Sequence, residues 1–169
     1  MILKPWLNYK TQKAQKKNKG LRQSIPYKTS SKIGIVFCND EQSKIENADI
    51  LIDLLKKDDK NVKVIAQEPK NGVKHLPYDT FTKENFSFWG DFVGKPINDF
   101  VNMEYDFLIC LDEHPNYLIR SVLANSQAKC RIGKFEEDNQ QTFEMLLEDK
   151  ANNDHNWINS MYQYIKILS

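Results

Sequence analysis

The sequence predicts an α/β fold: a mostly parallel sheet of about five strands with helices on both faces, preceded by a basic N-terminal helix or arm. Short apolar runs alternate with longer segments of helical periodicity across residues 32–169, which is the pattern of strand–helix–strand units. Residues 1–32, by contrast, contain nine basic residues and no Asp or Glu, an asymmetry that separates this segment from the rest. We therefore expect a basic arm, residues 1–31, followed by one α/β domain, residues 32–169.

The first half of the domain predicts two strands joined by a helix. Ile33 to Cys38 is a short, continuously apolar run, typical of a strand that is buried on both faces. A helix is predicted from about Glu41 to Lys57, where apolar residues recur at helical spacing. Asp40 or Ser43 is expected to cap this helix. Residues 61–69 then alternate in polarity and end at a proline, which predicts the second strand.

Residues 70–95 are predicted to be irregular and to carry an unusual density of aromatic side chains. These aromatic residues are Phe86, Phe88, Trp89 and Phe92. They have two interpretations: a plug that covers one face or edge of the sheet, or an exposed aromatic surface for binding. Pro96 is then expected to open a short helix that runs through Met103.

The second half of the domain repeats the strand–helix alternation. Tyr105 to Leu111 predicts the third strand, and Pro115 is expected to start the helix that follows it. Residues 129–133 predict a fourth strand, and residues 142–149 a fifth whose alternation is typical of a sheet edge. A final helix is predicted from about Asp154 to Leu168. Its expected inner face consists of Trp157, Met161, Tyr164, Ile165 and Leu168. Together these elements predict a Rossmann-like arrangement.

The basic arm is the clearest functional signal in the composition. Its cations are expected to bind an anionic surface, either membrane headgroups or RNA. The candidate anion-binding residues are Lys4, Lys10, Lys13, Lys16, Lys17, Lys19 and Arg22. No apolar run approaches the roughly 18 residues of a membrane span. We therefore expect a cytoplasmic protein, with a peripheral position at the inner membrane if the anionic surface is a membrane.

A second group of candidates lies in the loops after the predicted strands. Ligands of parallel sheets bind beyond the carboxyl ends of the strands, near the point where the strand order reverses. The loops expected there carry the rim candidates Asn39, Asp40, Asp112, Glu113, His114 and Lys134. Acidic and imidazole side chains can bind a divalent metal or transfer protons. However, the three adjacent residues 112–114 point in different directions, and acids before a helix also complement its dipole. We assign no catalytic residue and no metal ligand.

Common cofactor motifs are missing from the chain. The segment after the first strand is acidic rather than glycine-rich, which disfavours a pyrophosphate at the helix N-terminus. The sequence contains no Walker motif, no H-E-x-x-H, no paired C-x-x-C and no G-x-S-x-G. We therefore predict no cofactor. Cys38, Cys110 and Cys130 lie in predicted strands and are expected to be buried thiols.

The stretch YDFLICLDEHPNYLIRSVLANSQAKCRIGKF, residues 105–135, is similar to a part of a known enzyme family. It resembles the N-terminal half-domain of heptosyltransferase-like glycosyltransferases, and this resemblance implies a Rossmann-like fold. Those enzymes bind the nucleotide-sugar donor in their second domain, so no catalytic residue is carried over. Arg120, Ser121 and Gly133 of this stretch are interpreted as packing and turn positions.

The whole domain from about Lys32 resembles an uncharacterised family of small bacterial proteins, a domain of unknown function. That family has a basic N-terminal helix, an aromatic segment and the same strand–helix–RIG block. Phe86, Trp89, Gly94 and Pro96 lie near the positions of the aromatic segment. The resemblance implies an uncharacterised α/β domain and no particular activity.

Two functions are consistent with these observations. The first is a non-enzymatic adaptor, in which the acidic domain docks an unknown protein partner while the basic arm holds an anionic surface. The alternative is a small enzyme, or an enzyme subunit that a partner completes, glycosyltransferase-like or metal-dependent, with its site at the carboxyl rim of the sheet. A homodimer formed through the aromatic segment is a third option, since the sequence does not determine the oligomeric state.

Overall fold

The sheet contains six parallel strands in the order β3-β2-β1-β4-β5-β6. The computed structural model of the chain describes residues 4–72, 76–148 and 154–168, and all elements named here lie in these ranges. The strands are β1 (Lys32–Cys38), β2 (Asn61–Gln67), β3 (Asp79–Phe81), β4 (Phe107–Cys110), β5 (Cys130–Lys134) and β6 (Met145–Leu147). The helices are α1 (Lys4–Lys17), α2 (Gln42–Lys57), α3 (Lys95–Asn102), α4 (Tyr117–Asn125) and α5 (Asp154–Lys166).

Two apolar cores lie on opposite faces of the sheet. Alternate side chains of β1 point to opposite faces, so that Ile35 joins the core under α2 and α5 while Val36 joins the core under α3 and α4. The neighbouring strand β4 divides in the same way, with Ile109 in the first core and Leu108 in the second. All four side chains are fully buried. Burial on both faces explains why the central strands are apolar at consecutive positions.

The structure confirms the α/β, Rossmann-like fold with a helix at the N-terminus. The five predicted strands are present, and β6 lies at an edge of the sheet. The opposite edge strand, β3, was expected to be irregular. It pairs only three residues with β2, from the Ile65–Asp79 pair to the Gln67–Phe81 pair. Only Phe81 of the three is buried, so the strand is too short and too polar to produce a periodic signal.

Several helix ends differ from the prediction. Neither Asp40 nor Ser43 caps α2, because Glu41 occupies the N-cap position and makes no side-chain cap. Asn116, rather than a proline, defines the start of α4: its Oδ1 accepts hydrogen bonds from the backbone N–H groups of Leu118 at 3.0 Å and Ile119 at 3.2 Å. None of the described helices combines the length and the apolar character that crossing a bilayer requires.

The inner face of α5 also differs from the prediction. Trp157, Met161 and Ile165 are buried as predicted, but Ile158 and Tyr162 are buried as well, whereas Tyr164 is exposed. The Tyr162 hydroxyl donates to Asp58 Oδ2 at 2.7 Å. Tyr162 can face the domain because Asp58, directly after α2, accepts the hydrogen bond of its hydroxyl.

The basic N-terminal segment packs against the domain. Leu7 of α1 is fully buried in the core shared with α4. Asn18 Nδ2 donates to the carbonyl oxygen of Ala124 at 3.0 Å, and Arg22 Nη1 donates to that of Ser126 at 3.0 Å. These groups bind the last carbonyls of α4, which have no partner within their own helix. The basic arm is therefore fixed against α4 and does not extend freely from the domain.

Candidate functional site

The carboxyl ends of β1 and β4 border a polar cleft at the place where the strand order reverses. β1 and β4 are neighbours, but the chain leads from β1 toward β2 on one side and from β4 toward β5 on the other. Such a switch point opens a crevice between the two loops that leave the strands. The crevice has a volume of about 330 Å³. Its lining residues come from α2, the loop after β4, the end of β5 and α5. We call it the switch-point cleft.

The structure brings the six rim candidates to this edge of the sheet at two different depths. Asp40, Glu113, His114 and Lys134 line the switch-point cleft. Asn39 and Asp112 are buried. The candidates are therefore neighbours, as expected from the loop positions, but only four of them face the cleft.

Asp112 is anchored by two donors and is buried beside the cleft. Its Oδ2 accepts from the backbone N–H of Cys38 at 2.9 Å, and its Oδ1 accepts from Lys44 Nζ at 2.6 Å. Lys44 Nζ also lies 2.7 Å from Asp40 Oδ1. Burial opposes the charge on Lys44, but the two carboxylates outweigh it and raise the pKa of Lys44. Asp112 thus ties β1 to α2, which is a structural role and leaves it poorly placed for proton transfer to a ligand.

A second ion pair lies at the mouth of the cleft. Lys134 Nζ donates to Glu113 Oε2 at 2.9 Å, and this bond holds the pKa of Glu113 below its usual value. The buried Asn139 fixes the backbone under this pair, since its Nδ2 donates to the carbonyl oxygens of Glu113 at 2.9 Å and Lys134 at 3.0 Å. Asn139 was not among the predicted residues because it lies in a short turn after β5, where asparagine carries no specific signal.

Glu113 and His114 also approach Glu136. One ligand atom of each residue lies within 4.8 Å of the others, and none of the three residues is fully buried. Carboxylates and imidazole are ligands of several divalent metals. Sequence reasoning considered only the adjacent residues 112–114 and missed Glu136, which comes from a separate loop. Because Glu113 is already bound to Lys134, this group alone does not establish a metal site, and the enzyme alternative stays a hypothesis.

Two further residues of the cleft were missed by sequence reasoning. Asn47 of α2 and Trp157 of α5 both line the cleft, although they are only 8% and 5% exposed. Asn47 Oδ1 and Trp157 Nε1 make no hydrogen bond within the described part of the chain. Both positions fit the apolar stripes of their helices, so the sequence pattern marks them only as inward-facing.

The three cysteines are buried, as predicted. Cys38 ends β1, Cys110 ends β4 and Cys130 begins β5. Burial raises the pKa of Cys38 to about 12 and that of Cys130 to about 11. All three thiols are therefore protonated and unreactive at neutral pH.

The predicted anion-binding residues of the N-terminal segment divide into two groups. Arg22 binds backbone carbonyls at the end of α4, and burial lowers the pKa of its guanidinium to about 10. Lys10 forms an ion pair with Asp91, and Lys4 Nζ lies 5.5 Å from the centroid of the Tyr117 ring. These three cations are already engaged with the protein.

The remaining lysines face solvent on α1 or directly after its end. Lys13, Lys16, Lys17 and Lys19 are exposed. They take part in none of the ion pairs found among the described residues. Trp6, Tyr9, Lys13 and Lys16 follow the spacing i, i+3, i+7 and i+10, which places them on the same side of the helix, directed away from the buried Leu7. Lys17 extends the same side.

Each of the two interpretations of the aromatic segment, a plug or an exposed surface, describes a part of it. Phe86 is buried and packs on Phe92, with ring centroids 5.2 Å apart, as a plug over the sheet. Phe88 and Trp89 are instead 53% and 63% exposed. Trp6 Nε1 donates to the carbonyl oxygen of Trp89 at 3.0 Å, which joins this loop to α1. We call the resulting surface the aromatic–basic face; it comprises Trp6, Tyr9, Lys13, Lys16, Lys17, Phe88 and Trp89.

One family of proteins matches almost the entire chain. The model of that family, described as a family of unknown function (DUF6913), matches residues 4–168. The chain therefore belongs to this family, in agreement with the prediction of an uncharacterised domain. No curated protein matches the chain. The resemblance to heptosyltransferase-like glycosyltransferases stays a prediction.

Proposed function

We propose that this member of the DUF6913 family is a non-enzymatic binding protein that attaches to anionic membrane surfaces through its aromatic–basic face. The observation that carries the proposal is the composition of one exposed side of α1, where Trp6 and Tyr9 continue into Lys13, Lys16 and Lys17. Helices that lie on membranes combine the same two components. Their aromatic side chains enter the headgroup region, and their lysines attract anionic lipids.

The packing of α1 on α4 supports this function. Leu7, Asn18 and Arg22 hold the segment in place, so the helix does not have to fold when it meets a surface. A prefolded binding element avoids the loss of conformational entropy that would otherwise oppose attachment. Each lysine near an anionic membrane contributes about 1 kcal/mol, and the three lysines of the face therefore contribute about 3 kcal/mol.

The geometry of the aromatic rings favours a membrane over RNA. The Phe88 and Trp89 rings are 5.1 Å apart and nearly perpendicular, at 87°, and Trp6 meets Trp89 edge-on at 6.3 Å and 75°. Rings packed in this way form one continuous apolar surface. Single-stranded nucleic acid instead binds to separate rings whose faces are open for stacking.

The charge contribution can be measured with vesicles and a matched pair of variants. The variant Lys13→Gln/Lys16→Gln/Lys17→Gln removes three charges from the aromatic–basic face. The variant Lys28→Gln/Lys56→Gln/Lys57→Gln removes three charges from exposed lysines elsewhere. We expect flotation with vesicles of phosphatidylglycerol and phosphatidylcholine to show a loss of about a hundredfold in affinity for the first variant. The second variant should bind like the unmodified protein.

Three results would contradict the proposal. The first is equal weakening by both variants, because the effect would then follow net charge and not the aromatic–basic face. The second is binding to polyuridylate RNA, measured by fluorescence anisotropy, that is tighter than binding to the vesicles and depends on the same three lysines. The third is a concentration-dependent dimer in sedimentation velocity that Phe88→Ser/Trp89→Ser abolishes, because the face would then be occupied by a second copy.

The aromatic contribution has an independent optical signal. Trp6 and Trp89 are exposed, whereas Trp157 is buried, so transfer of the face into headgroups should shift the tryptophan emission of the protein to shorter wavelength. Phe88→Ser should weaken binding and reduce the emission shift that the vesicles produce. A binding event without any emission shift would contradict insertion of the rings.

A further inference from the structure

We propose that the switch-point cleft binds a small uncharged molecule that carries hydroxyl or amide groups. The inference starts from its location. The cleft lies between the loops that follow β1 and β4, the place where open α/β sheets bind their ligands. Its volume of about 330 Å³ is at the lower end of the range of about 300–1,000 Å³ that is typical of ligand pockets.

Two buried polar groups define what such a molecule must offer. Asn47 Oδ1 is a hydrogen-bond acceptor and Trp157 Nε1 is a donor, and neither has a partner among the described residues. A buried polar atom without a partner destabilises a protein, and native proteins retain few of them. A polyol or a primary amide carries both a donor for Asn47 Oδ1 and an acceptor for Trp157 Nε1, which are the two kinds of group that these atoms lack.

The charges of the described residues around the cleft disfavour an anionic ligand. Among the described residues that line the cleft, three carry carboxylates, Asp40, Glu41 and Glu113, and two carry ammonium groups, Lys44 and Lys134. Both lysines are already bound to carboxylates: Lys44 to Asp40 and Asp112, and Lys134 to Glu113. A phosphate would meet a surplus of negative charge and would have to disrupt an ion pair. An uncharged ligand leaves both pairs intact.

The indole N–H signals of the ¹⁵N-labelled full-length protein provide a direct test. The chain contains three tryptophans, and Trp157→Phe identifies the signal of Trp157. Acetamide and glycerol are titrated separately into the millimolar range, as the amide and the polyol probe. We expect a saturable shift of the Trp157 signal with at least one of them. Trp6 and Trp89, which lie on the aromatic–basic face, should not shift and serve as internal controls.

A pair of variants connects the shift to the cleft. Asn47→Leu removes the acceptor with little change in volume and should weaken binding of the probe by about tenfold or more. Glu46→Gln changes an exposed neighbour on the same helix and should leave the affinity unchanged. Unshifted signals of Trp6 and Trp89 in the Asn47→Leu spectrum would show that the variant is folded.

Several outcomes would overturn the inference. They include the absence of a saturable shift with both probes, an unchanged affinity in Asn47→Leu, and a stronger response to inorganic phosphate than to either probe. A response to Zn²⁺ that Glu136→Gln abolishes, without any response to acetamide or glycerol, would assign the cleft to a cation. This test is independent of membrane attachment, because it uses no vesicles and its reporter lies outside the aromatic–basic face.

Discussion

The switch-point cleft and the aromatic–basic face differ in whether their lysines are paired with carboxylates of the protein. In the cleft, both lysines are bound to carboxylates. Two buried, uncharged atoms, Asn47 Oδ1 and Trp157 Nε1, lack a hydrogen-bond partner in the part of the chain that the structure describes. On the face, Lys13, Lys16 and Lys17 lie in solvent beside exposed aromatic rings. The first region is built around internal ion pairs, and the second leaves its charges available to an external surface.

This difference predicts how each region responds to mutation. A buried ion pair is strongly destabilised when one partner is removed, because the other charge stays behind in a poorly solvated place. An exposed lysine contributes little to folding because water solvates it in both states. Substitutions in the cleft should therefore change the free energy of unfolding, and substitutions on the face should change binding alone.

The largest expected effect follows removal of Asp112. Asp112→Ala leaves the Cys38 N–H unsatisfied and deprives Lys44 of its buried partner, so the free energy of unfolding should fall by about 3 kcal/mol. Urea denaturation at neutral pH measures this loss. Asp112→Asn should lose less, because the amide oxygen can still accept from Cys38. A loss of less than about 1 kcal/mol in Asp112→Ala would show that removing a charge from the cleft costs no more stability than removing one from the face.

The next effect has the opposite sign. Asn47→Leu replaces an unsatisfied buried polar group with an apolar one of similar volume, so the protein should gain about 1–2 kcal/mol of stability. A higher thermal midpoint for Asn47→Leu than for the unmodified chain would verify the gain. A loss of stability would mean that Asn47 already has a partner in solution, and it would remove the main argument for a ligand in the cleft.

A smaller effect depends on pH. Because Lys134 lowers the pKa of Glu113 below its ordinary value of 4.5, this carboxylate stabilises the fold at neutral pH and loses its contribution as the pH falls through the lowered pKa. Glu113→Gln should cost less than about 1 kcal/mol at pH 7, since Glu113 is half exposed. The difference between the two proteins should vanish in acid, where both side chains are neutral. A difference that grows on acidification would contradict the sign of the shift.

The smallest effect is expected on the face itself. Lys16→Gln should change the free energy of unfolding by less than about 0.5 kcal/mol, although it lowers the affinity for anionic vesicles. Chemical denaturation of this variant, run in parallel with the Asp112 variants, completes the comparison. A clear loss of stability would indicate that Lys16 contacts the protein in solution.

The sheet could be predicted closely because its signal is local. β1 and β4 are apolar at consecutive positions, and burial on both faces imposes that pattern directly on the sequence. β3 was missed because it has three residues and is held in place by pairing with β2. The start of α4 was predicted at Pro115 because proline is a strong local signal, whereas the capping effect of Asn116 depends on the direction of its side chain.

The candidate site was predictable in position but not in detail. The topology of a parallel sheet brings the loops after β1, β4 and β5 to one edge, and the residues chosen there are neighbours in the structure. Which side chains face the cleft depends on hydrogen bonds between distant segments, such as the bond from Lys44 to Asp112. Asn47 and Trp157 were missed because on a helix they are indistinguishable from other inward-facing residues.

The sequence alone determined the α/β alternation, the central strands and the segregation of nine unopposed basic residues near the N-terminus, because hydrophobic periodicity and charge are properties of the chain itself. Tertiary structure decided how those basic residues are used. Packing of Leu7 on α4 turns one side of α1 inward and commits Arg22 to backbone carbonyls, while Lys13, Lys16 and Lys17 remain in solvent beside Trp6. Such a choice depends on contacts between residues more than a hundred positions apart, which no local pattern encodes.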